Sequence, residues 1–350
     1  MNKKVILFLL IASLAVFLLF AGCGEQDDVI ELHFATFWPG TDFQVTEGHE
    51  AWMNDIEERT DGQVRFVMHA GEALLGGREI YEGVVAGSAD LGTTCPSYTP
   101  GMFPVTEAFE LTGMQNPNAL AASMTVNEGY KVLKEEGLME EYDDVKVLMF
   151  WATGPGDVMT TSPVESLDDV EGMEMRVVGG SVSAMEELGV TPVSMPMSES
   201  YIALDSRIVE GILAPTDTLK GFGLAEVVDY VTETPFLYNM VFMKVMNQQK
   251  WDSLPPDVQE VIEEVSEEYV MEYGKLRTEH TIEGLEYGKQ EHGIEVLELT
   301  SEEESIWLEK IKPVVEEWIE KTEDAGLPGR EIVDTVRELD EKFADEHGDY

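Results

Sequence analysis

Residues 171–215 read EGMEMRVVGGSVSAMEELGVTPVSMPMSESYIALDSRIVEGILAP, and this stretch decides the fold. The segment from Glu174 to Val178 has the composition of a strand, and the pair Gly179-Gly180 ends this strand and opens a helix. The elements predicted to follow are a helix at Val182–Leu188, an extended segment at Pro192–Met195, a helix capped by Ser198 that runs to Arg207, and a strand at Val209–Pro215. Strands that alternate with helices in this way indicate an α/β sheet.

Arg176 is the unusual side chain of this stretch, because it is the only cation between Lys146 and Arg207. It stands near the carboxyl end of the predicted strand, next to a glycine turn, where open α/β sheets bind their ligands. Its planar guanidinium matches a carboxylate in a two-point geometry. The alternative is a surface arginine that pairs with Glu174, which is two residues away and therefore on the same face of the strand.

Acidic side chains dominate the composition of the 350-residue chain. There are 70 Asp and Glu against 22 Lys and Arg, which gives a formal net charge of −48. The charge argues against nucleic acid as a partner, because no basic patch is present to displace counterions from phosphates. We interpret the acids as a solvated surface suited to high salt, where screening weakens self-repulsion. No DxDxDG calcium loop occurs, and a hydrophobic content of 43% indicates a folded chain.

The first 22 residues have the pattern of a secretion signal. Lys3 and Lys4 precede the uncharged run Val5–Phe20, which is short for a membrane-spanning helix. The run ends in LFAGC, which resembles the lipobox of bacterial lipoproteins and predicts lipidation of Cys23, with residues 23–28 as a polar tether. The protein would then be anchored at the outer face of the cytoplasmic membrane. The alternative is an uncleaved anchor, which places the domain on the same side.

The cysteines and histidines of this chain form no recognisable disulfide, metal-binding or catalytic motif. Cys95 is the only cysteine besides Cys23, so we expect no disulfide, and Cys95 reads either as a buried thiol or as a nucleophile without a nearby histidine. The six histidines are scattered, and no CxxC, GxSxG or HExxH motif occurs. We therefore predict no metal, no cofactor and no enzymatic activity, although a secreted enzyme remains an alternative class.

The rest of the chain continues the alternation of strands and helices. A strand at Glu31–Thr36 ends in the aromatic turn Phe37-Trp38, and Tyr98 lies in the loop SYTPGMFP, where it reads either as a ligand wall or as core. Further elements are predicted at Thr41–Arg59, Gln63–His69, Arg78–Ala86, Ala89–Thr93, Asn116–Leu138, Val145–Trp151, Phe236–Met246, Leu254 to about His292, Leu308–Glu323 and Arg330–His347. The helix that begins near Leu254 is long enough to span two lobes.

The order of these elements resembles one family. The segments GMEMRVVGG, TPVSMPMSESYIAL, RIVEGILAP and LPPDVQEVI follow one another as in the solute-binding proteins of tripartite ATP-independent periplasmic (TRAP) transporters, the DctP family. The resemblance implies an α/β, two-lobed periplasmic-binding-protein fold of the type II kind with a long interlobe helix. We expect the first lobe to comprise 29–153 plus about 236–280, and the second 154–235 plus about 281–350.

The resemblance also implies a ligand site in the cleft between the lobes. Arg176 matches the family arginine that binds the ligand carboxylate, and Tyr201 matches a tyrosine of the site, although Tyr201 could instead only pack its helix on the sheet. Met197 replaces a cleft phenylalanine, Pro215 is retained, and Ala214 stands where the family usually has an asparagine. The remaining walls of the cleft are expected from Phe37, Trp38, Tyr98 and Trp151.

Two departures from the family pattern suggest the ligand. Ala214 cannot help to hold a carboxylate, and residues 156–158 offer no second basic side chain of the kind found in members that bind sialic acid. We therefore hypothesise a monocarboxylate with an apolar or aromatic body. The resemblance implies that the two membrane subunits of the transporter receive this solute; an ABC-type or sensory binding lipoprotein is the alternative.

Overall fold

The computed structural model describes residues 29–113 and 116–350. The predicted signal peptide, Cys23 and the tether lie outside these residues. The strands are β1 (Ile30–Thr36), β2 (Val64–His69), β3 (Leu91–Thr94), β4 (Val145–Ala152), β5 (Asp157–Thr160), β6 (Glu174–Arg176), β7 (Thr191–Val193), β8 (Gly211–Ala214), β9 (Tyr230–Glu233), β10 (Val241–Asn247) and β11 (Glu295–Glu298).

Twelve α-helices lie between and after these strands in the described residues. They are α1 (Glu50–Arg59), α2 (Ile80–Val85), α3 (Ala119–Glu135), α4 (Leu167–Val170), α5 (Ser181–Glu187), α6 (Met197–Asp205), α7 (Thr218–Gly221), α8 (Gln248–Ser253), α9 (Pro256–Tyr287), α10 (Ser301–Ile311), α11 (Pro313–Asp324) and α12 (Gly329–His347). Short π segments at Gln44–His49 and Gly288–His292 extend α1 and α9.

The strands form two sheets, one in each lobe. The first sheet has the order β2-β1-β3-β10-β4, and the second has the order β11-β9-β5-β8-β6-β7. The chain leaves the first sheet at the end of β4 and enters the second at β5, and it returns through β10, which pairs antiparallel with both β3 and β4. The chain therefore crosses between the lobes twice before the long helix, which confirms the predicted two-lobed α/β fold.

Helix α9 connects the two lobes. It starts with Pro256 at its first turn, where the missing N–H costs nothing, and its 32 residues span about 48 Å at 1.5 Å per residue. A side chain at Gly274 would lie 2.7 Å from the Leu120 Cα at the start of α3, and one at Gly284 would overlap the backbone of Thr216 in the second lobe. Two glycines therefore let the helix touch the backbone of each lobe.

Several local predictions were wrong. Helix α6 begins at Met197 after Pro196, not at a Ser198 cap, and the Ser198 hydroxyl donates instead to Glu72 Oε1 at 3.0 Å. The helix predicted over Leu308–Glu323 is two helices, because Pro313 lacks the N–H that a continuous helix requires. The strands β9 and β11 were not predicted.

The last helix does not follow the expected lobe boundaries. Residues 281–350 were assigned to the second lobe, but α12 packs against α3 of the first lobe. The Asn118 side chain at the start of α3 donates to the carbonyl of His347 at 2.9 Å. The other proposed boundaries stay a prediction. Within 29–113 and 116–350, no helix has both the length and the apolar character required to cross a bilayer.

Candidate functional site

Arg176 is the last residue of β6, an interior strand of the second sheet, and its side chain is 0% exposed. Its Nε donates to the carbonyl of Met195 at 3.1 Å, which fixes the orientation of the guanidinium. The two terminal nitrogens, Nη1 and Nη2, have no hydrogen-bond partner among the described residues. Glu174 is exposed and forms no ion pair with this arginine. The surface-pair interpretation of Arg176 is therefore wrong.

The neighbours of Arg176 are neutral groups. Its positive charge lowers the pKa of Tyr98, Tyr238 and Cys95, but burial raises each of these pKa values by a larger amount. The Tyr98 hydroxyl accepts the Met197 N–H at 3.0 Å, which links the two lobes beside the arginine. Cys95 is fully buried, as its interpretation as a structural thiol predicts. No described acid forms an ion pair with Arg176, so its charge is available to an anionic ligand.

A small cavity lies between the lobes and is lined in part by these tyrosines. The volume open to the centre of a water molecule is about 20 Å³, which is room for little more than one water. Its lining is mainly aromatic and apolar: Phe37, Trp38, Tyr98, Thr153, Met197, Pro215, Thr218, Phe222, Tyr238, Met240, Phe242 and Arg277. Five of the predicted site residues are therefore brought together: Phe37, Trp38, Tyr98, Met197 and Pro215.

Stacked rings form one wall of this cavity. Phe37 and Trp38 stack at 4.0 Å between ring centroids, and Trp38 contacts Phe242 at 4.9 Å. Trp151 lies behind this layer, stacked on Trp38 at 6.0 Å and 27°. Trp151 is thus a support of the wall and not part of the lining.

Three other predicted residues, Arg176, Tyr201 and Ala214, are not among the residues that line the cavity. Tyr201 does not reach the cavity, and its hydroxyl donates to Glu226 Oε2 at 2.8 Å near the surface. The interpretation of Tyr201 as a packing residue fits this position better. Ala214 is fully buried in β8 opposite Asp157, and it places no polar atom near the arginine.

A second buried arginine at the cavity, Arg277, was not predicted. It projects from α9, is 3% exposed, and its Nη2 forms an ion pair with Asp217 Oδ2 at 2.8 Å. Its Nε and Nη1 have no partner among the described residues, and its guanidinium lies 4.7 Å from the ring of Phe242. A signal was present in the sequence, because Val270, Gly274 and Arg277 fall on one helical face.

Carboxyl groups from both lobes meet beside Arg277. Asp42 follows β1, is 3% exposed, and accepts the Gln44 N–H at 2.8 Å. A side chain at Gly221, in the second lobe, would overlap the Asp42 carboxyl. Burial raises the pKa of Asp42 to about 7, and the nearby charge of Asp217 acts in the same direction while Arg277 opposes it.

A larger groove lies elsewhere on the surface and is less suited to an anion. It has an open volume of about 510 Å³ beside α9 and the second sheet. Its charged lining residues are Asp157, Glu233, Glu298 and Glu304. Four carboxyl groups without a cation would repel an organic acid. In the described part of the chain, no three His, Cys, Asp or Glu side chains are grouped in a way that would hold a metal ion.

Comparisons with known proteins show the family of this chain. The sequence profile of the bacterial extracellular solute-binding protein family 7, DctP, matches residues 34–322. The chain is 26% identical over 268 residues to the C4-dicarboxylate-binding periplasmic protein DctP of Rhodobacter capsulatus, which covers 76% of this chain and 79% of the relative.

Solved structures extend the similarity to the fold. A TRAP periplasmic solute-binding protein from Desulfovibrio salexigens is 33% identical, with a TM-score of 0.77 over 92% of this chain and 98% of that one. A TRAP solute-binding protein from Rhodoferax ferrireducens, in complex with copurified benzoate, is 25% identical, with a TM-score of 0.85 over 91% and 99% of the two chains. These relatives are solute receptors and not enzymes. Since the profile match spans most of the sequence, the chain belongs to the DctP family of bacterial extracellular solute-binding proteins.

Proposed function

We propose that this protein is the extracytoplasmic receptor of a TRAP transporter and captures a monocarboxylate with an apolar or aromatic body. The observation that carries the proposal is Arg176, a fully buried arginine with two unpaired terminal nitrogens, whose charge acts on Tyr98 and Tyr238 in the lining of the aromatic cavity. Nη1 and Nη2 would each donate to one carboxylate oxygen. This geometry satisfies both buried donors and neutralises the charge.

The surroundings of Arg176 favour a strong ion pair. Because the site is shielded from water, the attraction between guanidinium and carboxylate is screened less than at a surface. The hydrogen bond from Arg176 Nε to the Met195 carbonyl orients the guanidinium group before the ligand binds, so little side-chain entropy is lost on binding. Tyr98 and Tyr238 remain neutral at physiological pH because burial raises the pKa of each, so neither competes with the ligand for the arginine.

The lining of the cavity favours an aromatic body over a second acid group. The stacked rings of Phe37, Trp38 and Phe242 offer flat apolar surface, as small-molecule pockets commonly do. Ala214 supplies no side-chain donor for a further carboxylate. The relative from Rhodobacter is named for C4-dicarboxylates, and the Rhodoferax protein holds benzoate. Because the cavity lining of this chain is aromatic, we expect its ligand to resemble benzoate more than a C4-dicarboxylate.

Binding requires the lobes to open and close, because the closed cavity is smaller than any such acid. The closed arrangement is held by direct bonds between the lobes, including Arg78 Nη2 to the carbonyl of Ser194 at 2.9 Å and Ser198 to Glu72. A ligand held by Arg176 of the second lobe and by Trp38 of the first would stabilise the closed state, since it gains both sets of contacts only there.

The closed complex would then deliver its solute to the small and large membrane subunits of the transporter. Lipidation at Cys23 would keep the receptor at the outer face of the cytoplasmic membrane, close to those subunits. Copurification of the full chain with the two membrane subunits from detergent extracts tests this assignment. A Cys23→Ala variant released from the membrane fraction would support the anchor.

A ligand panel tests the proposed solute class. The purified protein is heated with equal concentrations of benzoate, phenylacetate, succinate, malate and a sugar acid, and hits are titrated by calorimetry. We expect the aromatic monocarboxylates to raise the melting temperature most. Stabilisation by dicarboxylates or sugar acids alone would refute the solute class, and mass spectrometry of acid-extracted protein identifies the solute that copurifies.

A further inference from the structure

We propose that Arg277, paired with Asp217, binds an uncharged second oxygen of the ligand, so that the preferred solute is a hydroxy or keto derivative of the aromatic monocarboxylate. This inference rests on the proposed function, because it concerns the same cavity. Arg176 would take the carboxylate, and Arg277 would take the second oxygen. The two arginines bind different ligand groups because Arg277 is paired with an acid of the protein and Arg176 is not.

The charge of Arg277 is already balanced within the protein. Its Nη2 lies 2.8 Å from Asp217 Oδ2, and both side chains are buried. Asp42 faces the same arginine from the first lobe. Arg176, in contrast, has no ion-pair partner among the described residues. A second carboxylate at Arg277 would face two buried acids and gain little, whereas the carboxylate at Arg176 meets an uncompensated charge.

The donors of Arg277 nevertheless remain unsatisfied. Nε and Nη1 are buried without a partner in the described residues, on a side chain that lines the cavity. Buried donors of this kind are normally hydrogen-bonded, and two on one side chain call for an acceptor that comes from outside the fold. The Phe242 ring, 4.7 Å below the guanidinium, and the Asp217 bond hold the group in place. It is therefore preorganised for a ligand atom.

The chemistry of arginine restricts that ligand atom. Guanidinium groups donate and cannot accept, so the partner must be an oxygen lone pair of a hydroxyl, ketone, ether or ester, and an amino group is disfavoured. A site with buried donors rejects an analogue that lacks the acceptor more strongly than an apolar pocket rejects a missing methylene. We therefore expect a ring hydroxyl to improve affinity roughly tenfold or more over the unsubstituted acid.

Calorimetric titration of four benzoates tests the inference. The probes are benzoate, 3-hydroxybenzoate, 4-hydroxybenzoate and 3-aminobenzoate, with isophthalate as the dicarboxylate of matching shape. Wild type should bind at least one hydroxybenzoate about tenfold or more tighter than benzoate, and neither 3-aminobenzoate nor isophthalate should show this gain. If wild type binds benzoate but no hydroxyl improves affinity, the inference is wrong and the proposed function stands.

Variants separate a ligand contact from a structural ion pair. The double variant Arg277→Met, Asp217→Asn removes both charges together, so no buried charge is left unpaired. It should lose the hydroxyl preference, so that the hydroxybenzoates bind within about threefold of benzoate. The single variant Asp217→Asn removes the ion-pair partner of Arg277 and leaves Asp42 as the one acid that faces it, so it should gain affinity for isophthalate. Lys220→Met, which removes an exposed cation near the same helix, is the control and should change neither preference.

The outcomes distinguish the two proposals. A double variant that keeps the full hydroxyl preference overturns the role of Arg277, since the contact would then lie elsewhere. A double variant that loses benzoate and hydroxybenzoate equally would show a structural ion pair and overturn it as well. If wild type binds no aromatic acid at all, the proposed solute class falls and this inference with it.

Discussion

Replacement of Arg176 by methionine should abolish ligand binding without lowering the stability of the unliganded protein. Most substitutions of a buried functional residue reduce both properties. Here the two are expected to separate, because the guanidinium is fully buried, makes one bond through Nε, and leaves Nη1 and Nη2 unpaired. Methionine has a similar length and no donors, so it can occupy the same space beside Tyr98 and Tyr238.

The magnitudes follow from these contacts. Loss of one partner from a buried ion pair costs about 3 to 5 kcal/mol, which is roughly 10²- to 10⁴-fold in Kd. Unpaired buried donors cost about 1 to 3 kcal/mol, so the unliganded variant should gain up to that amount. For a chain of this size the gain corresponds to a rise of a few degrees in melting temperature. Arg176→Lys keeps the positive charge but loses the planar pair of donors, so its affinity for the ligand should lie between that of wild type and that of Arg176→Met.

Calorimetry with benzoate and thermal unfolding without ligand provide the two readouts. Arg330→Met is the matched control, because Arg330 is exposed on α12 and pairs only with Glu316 in the described structure. It should bind as wild type does. An Arg176→Met variant that binds benzoate within threefold of wild type would refute the assigned role. A fall of several degrees in its melting temperature would show that the arginine stabilises the fold.

Three further predictions concern pH, a buried lysine and the long helix. Burial raises the pKa of Asp42 to about 7 in the closed form, so closure takes up a proton that the solvated group would have lost near its ordinary value. Affinity measured by calorimetry should therefore rise as pH falls from 7 to 5, by at most about tenfold per unit for each carboxyl group that takes up a proton. Asp42→Asn should reduce this slope to the part contributed by Glu110 and Asp217, whose pKa values burial also raises. Burial lowers the pKa of Lys244 well below its ordinary value, so the folded state releases a proton that the unfolded state keeps. The stability of the wild-type protein should therefore rise with pH above neutrality. Lys244→Met should raise the melting temperature at pH 7 and reduce the dependence of stability on pH. Gly284→Ala places a methyl group against the backbone of the second lobe and should lower the melting temperature by several degrees, whereas Gly40→Ala, where the added carbon meets ordinary contacts, should change it little.

The predictable part of the site depends on local signals. A lone cation in an acid-rich stretch, at the end of a strand and before two glycines, made Arg176 a candidate, and the family resemblance was needed to favour a ligand role over a surface pair. The aromatic turn after β1 identified Phe37 and Trp38 in the same way, since chain segments that follow strands gather at one sheet edge. These residues are brought together by the alternation of strands and helices that the sequence displays directly.

The missed part depends on contacts between distant segments. Arg277 reaches the cavity only because α9 crosses both lobes, and its pairing with Asp217 joins two segments that no local pattern connects. Tyr201 was misplaced because it shares a helical face with Met197 and Leu204, and only its contact with Glu226 in a separate segment brings its hydroxyl to the surface. The position of α12 on the first lobe likewise follows from its packing on α3 and from no signal within the tail.

The stack of Trp38 on Trp151 has a practical consequence. One indole lines the cavity and the other lies directly behind it, so a bound aromatic acid would alter the surroundings of the first and, through the stack, of the second. The emission intensity and wavelength of these two side chains should thus respond to occupancy in an unlabelled sample. The receptor therefore contains an intrinsic optical probe, with which opening and closing can be timed by stopped-flow mixing.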